Sequence, residues 1–401
     1  MSERNLDFDK VVERRGTKSL KYDFAVERGR PKDVLPLWVA DMDFKISSYI
    51  EDALLEQVRH AIYGYTETDE SYFEAVREWF GKHHNWDVKK EWFIHTPGVV
   101  FAIALAVRAF TEKGDSVLIQ QPVYYPFSEV ITDNGRKLVS NDLVYDSNNG
   151  SYSIDFDDFE RKVSENSVKL FLLCSPHNPV GRVWDINELE KIGNICKKYG
   201  VTVFSDEIHA DFAWEKKHHV FTTVDDTFAD FSIIATAPSK TFNIAGLQVS
   251  NIFIPDSELK KRFEKEYDAS GYSQLNSAGI IAAEAAYKDG EEWYLAMREY
   301  VKANIDYADT FIRERIPGVK MIKTEGTYLV WLDFGELGLE VRELDDLIIN
   351  KAGLWLDSGR IFGKTGRGFQ RINVACPRKT LEEALIRIEN AANSVIGQAY
   401  N

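Results

Sequence analysis

Residues 231–255 read FSIIATAPSKTFNIAGLQVSNIFIP, and Lys240 is the single charged residue among them. Two apolar runs, 231–237 and 250–255, flank a short polar segment that contains a glycine. Runs that are apolar on both faces suit strands of a covered sheet rather than one side of an exposed hairpin. A surface ammonium normally stands among other charges. A lone amine between two buried-type strands is better placed for a chemical bond than for solvation.

The same pattern continues on the N-terminal side. EWFIH (91–95), SVLIQ (116–120), VKLFLLC (168–174) and VTVFSD (201–206) read as further strands. Helical periodicity occupies 70–84, 99–111, 186–199, 257–267 and 273–288. The alternation predicts an open α/β sheet covered on both sides. From about residue 290 the rhythm changes. A long helical pattern, EEWYLAMREYVKANIDYADTFIRERI, ends at Pro317-Gly318. TYLVWLDF, a helix near 341–352, the strands LWLD and GFQRINV, and a last helix from about 379 follow. This predicts an N-terminal segment (1–47) packing with a smaller α+β domain (289–401), and a large domain over 48–288.

Composition narrows the function classes. The chain has 401 residues, is 44% hydrophobic and carries a formal charge of −15 with no basic block. That argues against nucleic acid and against an anionic membrane surface as partners. Three cysteines make no disulfide framework and fit a cytoplasmic compartment. The charged start MSERNLDFDKVVERRG does not resemble a secretory signal, and GVVFAIALAV is too short to span a bilayer. Nucleotide and hydrolase motifs fail. There is no GxGxxG after a strand, no GxSxG, and no HExxH or comparable metal-ligand spacing among the eight histidines. GRIFGKTGRG (359–368) contains Gly-Lys-Thr, but Ser358 stands where a phosphate-binding loop needs its first glycine.

What remains is a set of polar residues just after predicted strands, the edge where open α/β sheets bind ligands. Asp206 ends VTVFSD, and Lys240 follows FSIIATA. CSPHNPVG places Asn178 in a proline-flanked turn, and QPVYYPF offers an aromatic face at Tyr124. TPGVV opens an amphipathic helix whose free N–H groups suit a phosphate. Each feature alone has an ordinary explanation in turn, cap or packing chemistry. Together they supply what pyridoxal phosphate needs: an amine for a Schiff base, a carboxylate for the pyridine nitrogen, an aromatic face, a donor to the 3′ oxygen and a helix end.

SDEIHADF, APSKTFNIAGLQ, CSPHNPVGRVW and LWVADMDF together resemble the fold-type I pyridoxal-phosphate enzymes of the class I/II aminotransferase superfamily. More narrowly they resemble the MalY/PatB group of carbon–sulfur β-lyases, over almost the whole chain. The resemblance implies a mostly parallel seven-stranded sheet in the large domain. It implies that Lys240 is the Schiff-base lysine, that Asp206 binds the pyridine nitrogen and that Asn178 contacts the 3′ oxygen. Tyr124 would stack on the ring. Val99 and Val100 would give backbone N–H groups to the phosphate, and Ser239 a hydroxyl. Tyr65 would reach the phosphate of a neighbouring subunit, making a homodimer with sites near the interface. Arg371 would pair with the α-carboxylate of an amino-acid substrate, helped by Asn178.

Three departures from the wider aminotransferase pattern bear on the reaction. His209 stands where many relatives have a tyrosine near the 3′ oxygen, Ala237 where a phosphate-binding Ser or Thr is common, and Gln248 where an arginine often clamps the phosphate. The lyase group shares these replacements, so the expected reaction is β-elimination from L-cystathionine or a related cysteine S-conjugate. An aminotransferase and a weakly catalytic regulatory protein are the alternative readings.

Overall fold

The computed structural model describes residues 2–399. Its largest sheet has seven strands: β1 (Phe93–Thr96), β2 (Ser116–Ile119), β3 (Lys137–Ser140), β4 (Leu170–Cys174), β5 (Thr202–Asp206), β6 (Ser232–Thr236) and β7 (Ser250–Phe253). Their order is β1-β7-β6-β5-β4-β2-β3. The β3-β2-β4-β5-β6 pairings are parallel, and β7 runs antiparallel to both β6 and β1. β2, β4, β6 and β7 are buried at every residue, which is why they read as continuous apolar runs. β3 is the strand the periodicity does not reveal: it lies at the sheet edge with half its residues exposed.

The helices are α1 (Ser48–His60), α2 (Glu70–His84), α3 (Val99–Phe110), α4 (Pro126–Asp133), α5 (Phe156–Glu165), α6 (Ile186–Tyr199), the single turn α7 (Pro238–Thr241), α8 (Ser257–Ala269), α9 (Ser277–Asp289), α10 (Glu291–Arg315), α11 (Val341–Asp346) and α12 (Arg378–Ala399). One apolar cluster lies under α3, α4 and α8, and a larger one continues under α2, α6, α9 and α10, so the sheet is covered on both faces. α6 shows why its boundaries are readable. Asp185 and Glu188 form a reciprocal cap at its start, and Gly200 closes it in the left-handed conformation.

A second, antiparallel sheet comprises β8 (Lys320–Met321), β9 (Leu329–Asp333), β10 (Asp357–Ser358) and β11 (Phe369–Asn373), in the order β8-β9-β11-β10. The helical pattern near 341–352 resolves into α11 and one π-helical turn, Leu347–Lys351. LWLD divides between β10 and a two-residue strand, Leu354–Trp355, which pairs in parallel with Leu35–Pro36. The N-terminal segment, otherwise irregular, is fastened by this pairing and by stacking of Trp38 on Trp355 at 4.4 Å between ring centroids. A buried charge cluster secures it further. Lys21, fully buried, donates to Asp43 at 2.8 Å, and Arg14 donates to Asp43 and Asp41, each at 2.7 Å.

Among the described residues no helix is long and apolar enough to cross a membrane, and all three cysteines are buried and unpaired.

Candidate active site

Strand register brings the singled-out residues to one edge. Cys174 pairs with Asp206, and Asp206 with Ala235, so the segments leaving β4, β5 and β6 depart side by side. The segments after β1 and β2 leave from the same end of the sheet. Between them lies a cleft of about 400 Å³ lined by Gly98, Val99, Val100, Tyr124, Asn178, Asp206, His209, Ser239 and Lys240, with Ala40, Ala237 and Gln248 among its other walls. A cleft at the carboxyl ends of parallel strands is the usual ligand site of such sheets.

Lys240 sits on α7, started by Pro238 at its first turn. Its Nζ donates to the Ala40 carbonyl at 3.1 Å, and the Tyr328 hydroxyl donates to the same oxygen at 2.9 Å. The Asn243 side chain holds the neighbouring backbone, accepting from Met42 N–H and donating to the Met42 and Phe44 carbonyls. Burial lowers the lysine's pKa to about 8. The Arg371 guanidinium acts in the same direction, and Asp41 and Asp206 oppose it.

Asp206 is 5% exposed and accepts one hydrogen bond, from Ile208 N–H at 3.2 Å. Burial lifts its carboxyl to a pKa of about 7, against the partial counter-effects of that bond and of Lys240. The His209 imidazole is driven well below its ordinary pKa by burial and by the cations Lys240 and Arg371, so it is neutral, and its Nδ1 is buried with no partner. Asn178 accepts from Arg371 through Oδ1 at 2.9 Å, and its carbonyl accepts the Tyr124 N–H at 3.0 Å. Burial raises the Tyr124 phenol, which keeps it protonated.

α3 begins at Gly98, whose backbone (φ +155°, ψ 156°) is one that L side chains rarely adopt, and no side chain caps the helix. The amides of Val99 and Val100 therefore open the first turn without side-chain competition.

Arg371, on β11, lies beside the cleft rather than in its wall. It is 3% exposed, ion-paired with Asp357, hydrogen-bonded to the Trp38 carbonyl at 2.9 Å, and stacked over Phe362 at 4.9 Å. Its Nε is buried and unpartnered. Tyr65 does not join its own chain's cleft. It lies between α1 and α2 and is 97% exposed. The Ala40 carbonyl, Tyr328 and Asp357 escape sequence reasoning. A backbone carbonyl leaves no mark in composition, and Asp357 gains meaning only from its strand pairing with Arg371.

The donor set fits pyridoxal 5′-phosphate. A depressed amine faces a buried carboxyl that needs a cationic partner to ionise, an uncapped helix start offers N–H groups, and the unpartnered Nδ1 of His209, a residue of the cleft wall, is open to a partner.

Comparison with known proteins agrees with this geometry. Residues 32–388 match the family described as aminotransferase class I and II. The cystathionine beta-lyase PatB of Bacillus subtilis (strain 168) is 44% identical over 387 residues, covering 96% of this chain and 100% of PatB. Cystalysin from Treponema denticola, whose crystal structure contains a pyridoxal 5′-phosphate cofactor, superposes with a TM-score of 0.93 at 38% identity, covering 97% of this chain and 99% of cystalysin. A PLP-bound putative aminotransferase from Clostridium difficile 630 superposes with a TM-score of 0.94 at 44% identity, covering 96% of this chain and 100% of that one. The chain belongs to the aminotransferase class I and II family, on the branch that includes PatB.

Proposed function

We propose that this chain is a pyridoxal-5′-phosphate-dependent carbon–sulfur β-lyase that eliminates the thiol from L-cystathionine or a related L-cysteine S-conjugate. The observation that carries the cofactor assignment is the meeting, in one cleft, of the Lys240 amine, lowered to about 8, and the buried Asp206 carboxyl, raised to about 7. Relatives named for cystathionine or carbon–sulfur cleavage support the reaction class.

Lys240, Asp206, Asn178, His209, Tyr124, Val99, Val100 and Ser239 would hold the cofactor. When bound, it supplies an aldehyde that condenses with an amine and an electron-withdrawing ring that acidifies the α C–H bond of an attached amino acid. Asp206 would lie against the ring nitrogen and keep it protonated, since an ion pair lets the buried carboxyl ionise. Asn178 and His209 would meet the 3′ oxygen, Tyr124 would cover the ring, and the α3 amides with Ser239 would take the phosphate. Arg371, already held in place by Asp357 and the Trp38 carbonyl, would pair with the substrate α-carboxylate. That contact orients the Cα–H bond toward Lys240, whose lowered pKa keeps a neutral amine available to take the proton. The Cβ–S bond then breaks, sulfur leaving with the bonding pair and taking up a proton. With one water, cystathionine yields homocysteine, pyruvate and ammonia.

Residues 48–288 would form the cofactor-binding domain and 289–401 a smaller domain with the 1–47 segment packed on it, a division supported by the separate sheets and by α10 leading into the second. The active unit would be a cytoplasmic homodimer with Tyr65 reaching the partner's phosphate. The high exposure of Tyr65 and the apolar residues around it supports this.

The test supplies cystathionine to the purified, cofactor-loaded protein with no keto acid present. Catalytic formation of pyruvate and homocysteine in equal amounts is expected. A strict requirement for a keto acid would instead identify an aminotransferase.

A further inference from the structure

Asp211 lies outside the cleft, yet its carboxylate joins the two segments that flank it. It belongs to the stretch Asp206–Phe212 that also carries His209, and it is 8% exposed. The Thr241 hydroxyl, one residue after Lys240, donates to Oδ2 at 2.5 Å. On the other oxygen, Oδ1, it meets His84 Nε2 at 2.8 Å and Trp79 Nε1 at 3.2 Å, both from α2. The Tyr294 hydroxyl donates to its backbone carbonyl at 2.8 Å. Burial acts to raise this carboxyl's pKa, and the contacts with His84 and Thr241 outweigh it, leaving an ionised carboxylate. Thr241 is 1% exposed and Trp79 3%, so the Thr241 side of the junction is shielded from solvent, while Asp211 and His84 also border a polar cavity of about 140 Å³.

α7 is a single turn with no side-chain cap and cannot fix its own orientation. Lys240 must nevertheless present its amine to the same point faced by Asp206. A hydroxyl on the next residue, anchored to a carboxylate five residues after Asp206, couples the two segments. We infer that Asp211 is a positioning residue: acting through Thr241, it fixes the Lys240 amine relative to the Asp206–His209 segment, with α2 as the rigid backing. This rests on the assignment of Lys240 and Asp206 under Proposed function.

Thr241→Val removes the hydroxyl and keeps the shape, and Thr241→Ser keeps the hydroxyl. Asp211→Asn is the stronger change and risks the fold, so the threonine pair carries the test. In the cofactor-loaded Thr241→Val protein, kcat should fall by about 10- to 100-fold, the scale of a misplacement near 1 Å. KM should stay within about twofold. The pH midpoint of the bound cofactor's visible absorbance should move, because the geometry between Lys240 and Asp206 changes. Thr241→Ser should restore both properties. Thr241→Val, which leaves a buried oxygen of Asp211 unpaired, should also melt lower, but its kcat and absorbance midpoint should already differ at temperatures where both variants are fully folded. Unchanged kcat and absorbance midpoint in Thr241→Val would overturn the inference, as would losses that simply follow the melting temperature in both variants. A wild-type protein that takes up no cofactor would instead sink the site assignment itself.

Discussion

A carboxyl placed where it cannot ionise comfortably is the clearest sign of purpose in this chain. Asp206 has one hydrogen bond and almost no water, and its pKa in the folded chain without cofactor is about 7, against an ordinary value of 3.8. Between those values the folded chain holds a proton that the unfolded chain has released. Stability without cofactor therefore falls as pH rises from about 3.8 toward about 7, and the penalty is complete above that. Asp206→Asn removes the ionising group and keeps the shape. The cofactor-free variant should be more stable than its cofactor-free parent at about pH 8, by a few kcal/mol at the scale of 1.36 kcal/mol per unit, with the advantage shrinking toward about pH 4. Urea unfolding midpoints at the two pH values measure this. An equal difference at both would mean that ionisation of Asp206 is not the cause. In the loaded protein the same substitution should act in the opposite sense, since in the proposed site the ring nitrogen would lose the carboxylate that keeps it protonated.

The start of α3 shows the same trade at the level of an element. Gly98 has a positive φ of 155°, and a Cβ built there meets nothing within 4 Å, so an alanine would cost conformational strain rather than a clash. Gly98→Ala should lower stability by about 1–3 kcal/mol, or relax by turning the first amides of α3 away from the cleft. In the proposed site, where these amides would hold the phosphate, turning them away should make cofactor leave faster during dialysis, read from the decay of visible absorbance beside a urea melt. Unchanged retention and an unchanged melt would show that this backbone conformation has no role. The elements that build the cleft are legible because most of their strands are continuous apolar runs buried on both faces and the chemical groups stand at or just after strand ends. Six strands and the helices α2, α3, α6, α8, α9 and α10 could be read that way. β3 could not, because an edge strand with Lys137 and Leu138 exposed has neither continuous burial nor clean alternation. α1 is not legible in the sequence because Leu55 and Val58 face outward and blur its periodicity. Within the site, Lys240 and Asp206 stood out through isolation and strand-end position. The Ala40 carbonyl that receives the lysine, and Asp357 that braces Arg371, depend on contacts 200 and 14 residues away in sequence.

At the scale of the whole molecule, the surface around residues 55–65 calls for an explanation. Leu55, Val58, Ile62, Tyr63 and Tyr65 are all exposed, Tyr65 at 97%, on a chain whose formal charge of −15 opposes self-association. Exposed apolar side chains that cluster along the sequence suit an interaction surface, and in the proposed homodimer a second copy of the chain would cover them and give Tyr65 a task. In the proposed dimer each site combines Lys240 from one protomer with Tyr65 from the other, so the two residues should complement across subunits. Lys240→Ala should abolish activity, and Tyr65→Ala should release cofactor from both sites. In a mixed dimer one site lacks both groups and the other keeps both. After subunit exchange from equal amounts, half the dimers are mixed and hold one complete site each, so activity should return to about a quarter of the wild-type rate per chain. Cofactor retention in the mixture should rise in step. If the mixture performs only as the average of its two parents, Tyr65 serves its own chain or none, and the shared site has to be abandoned.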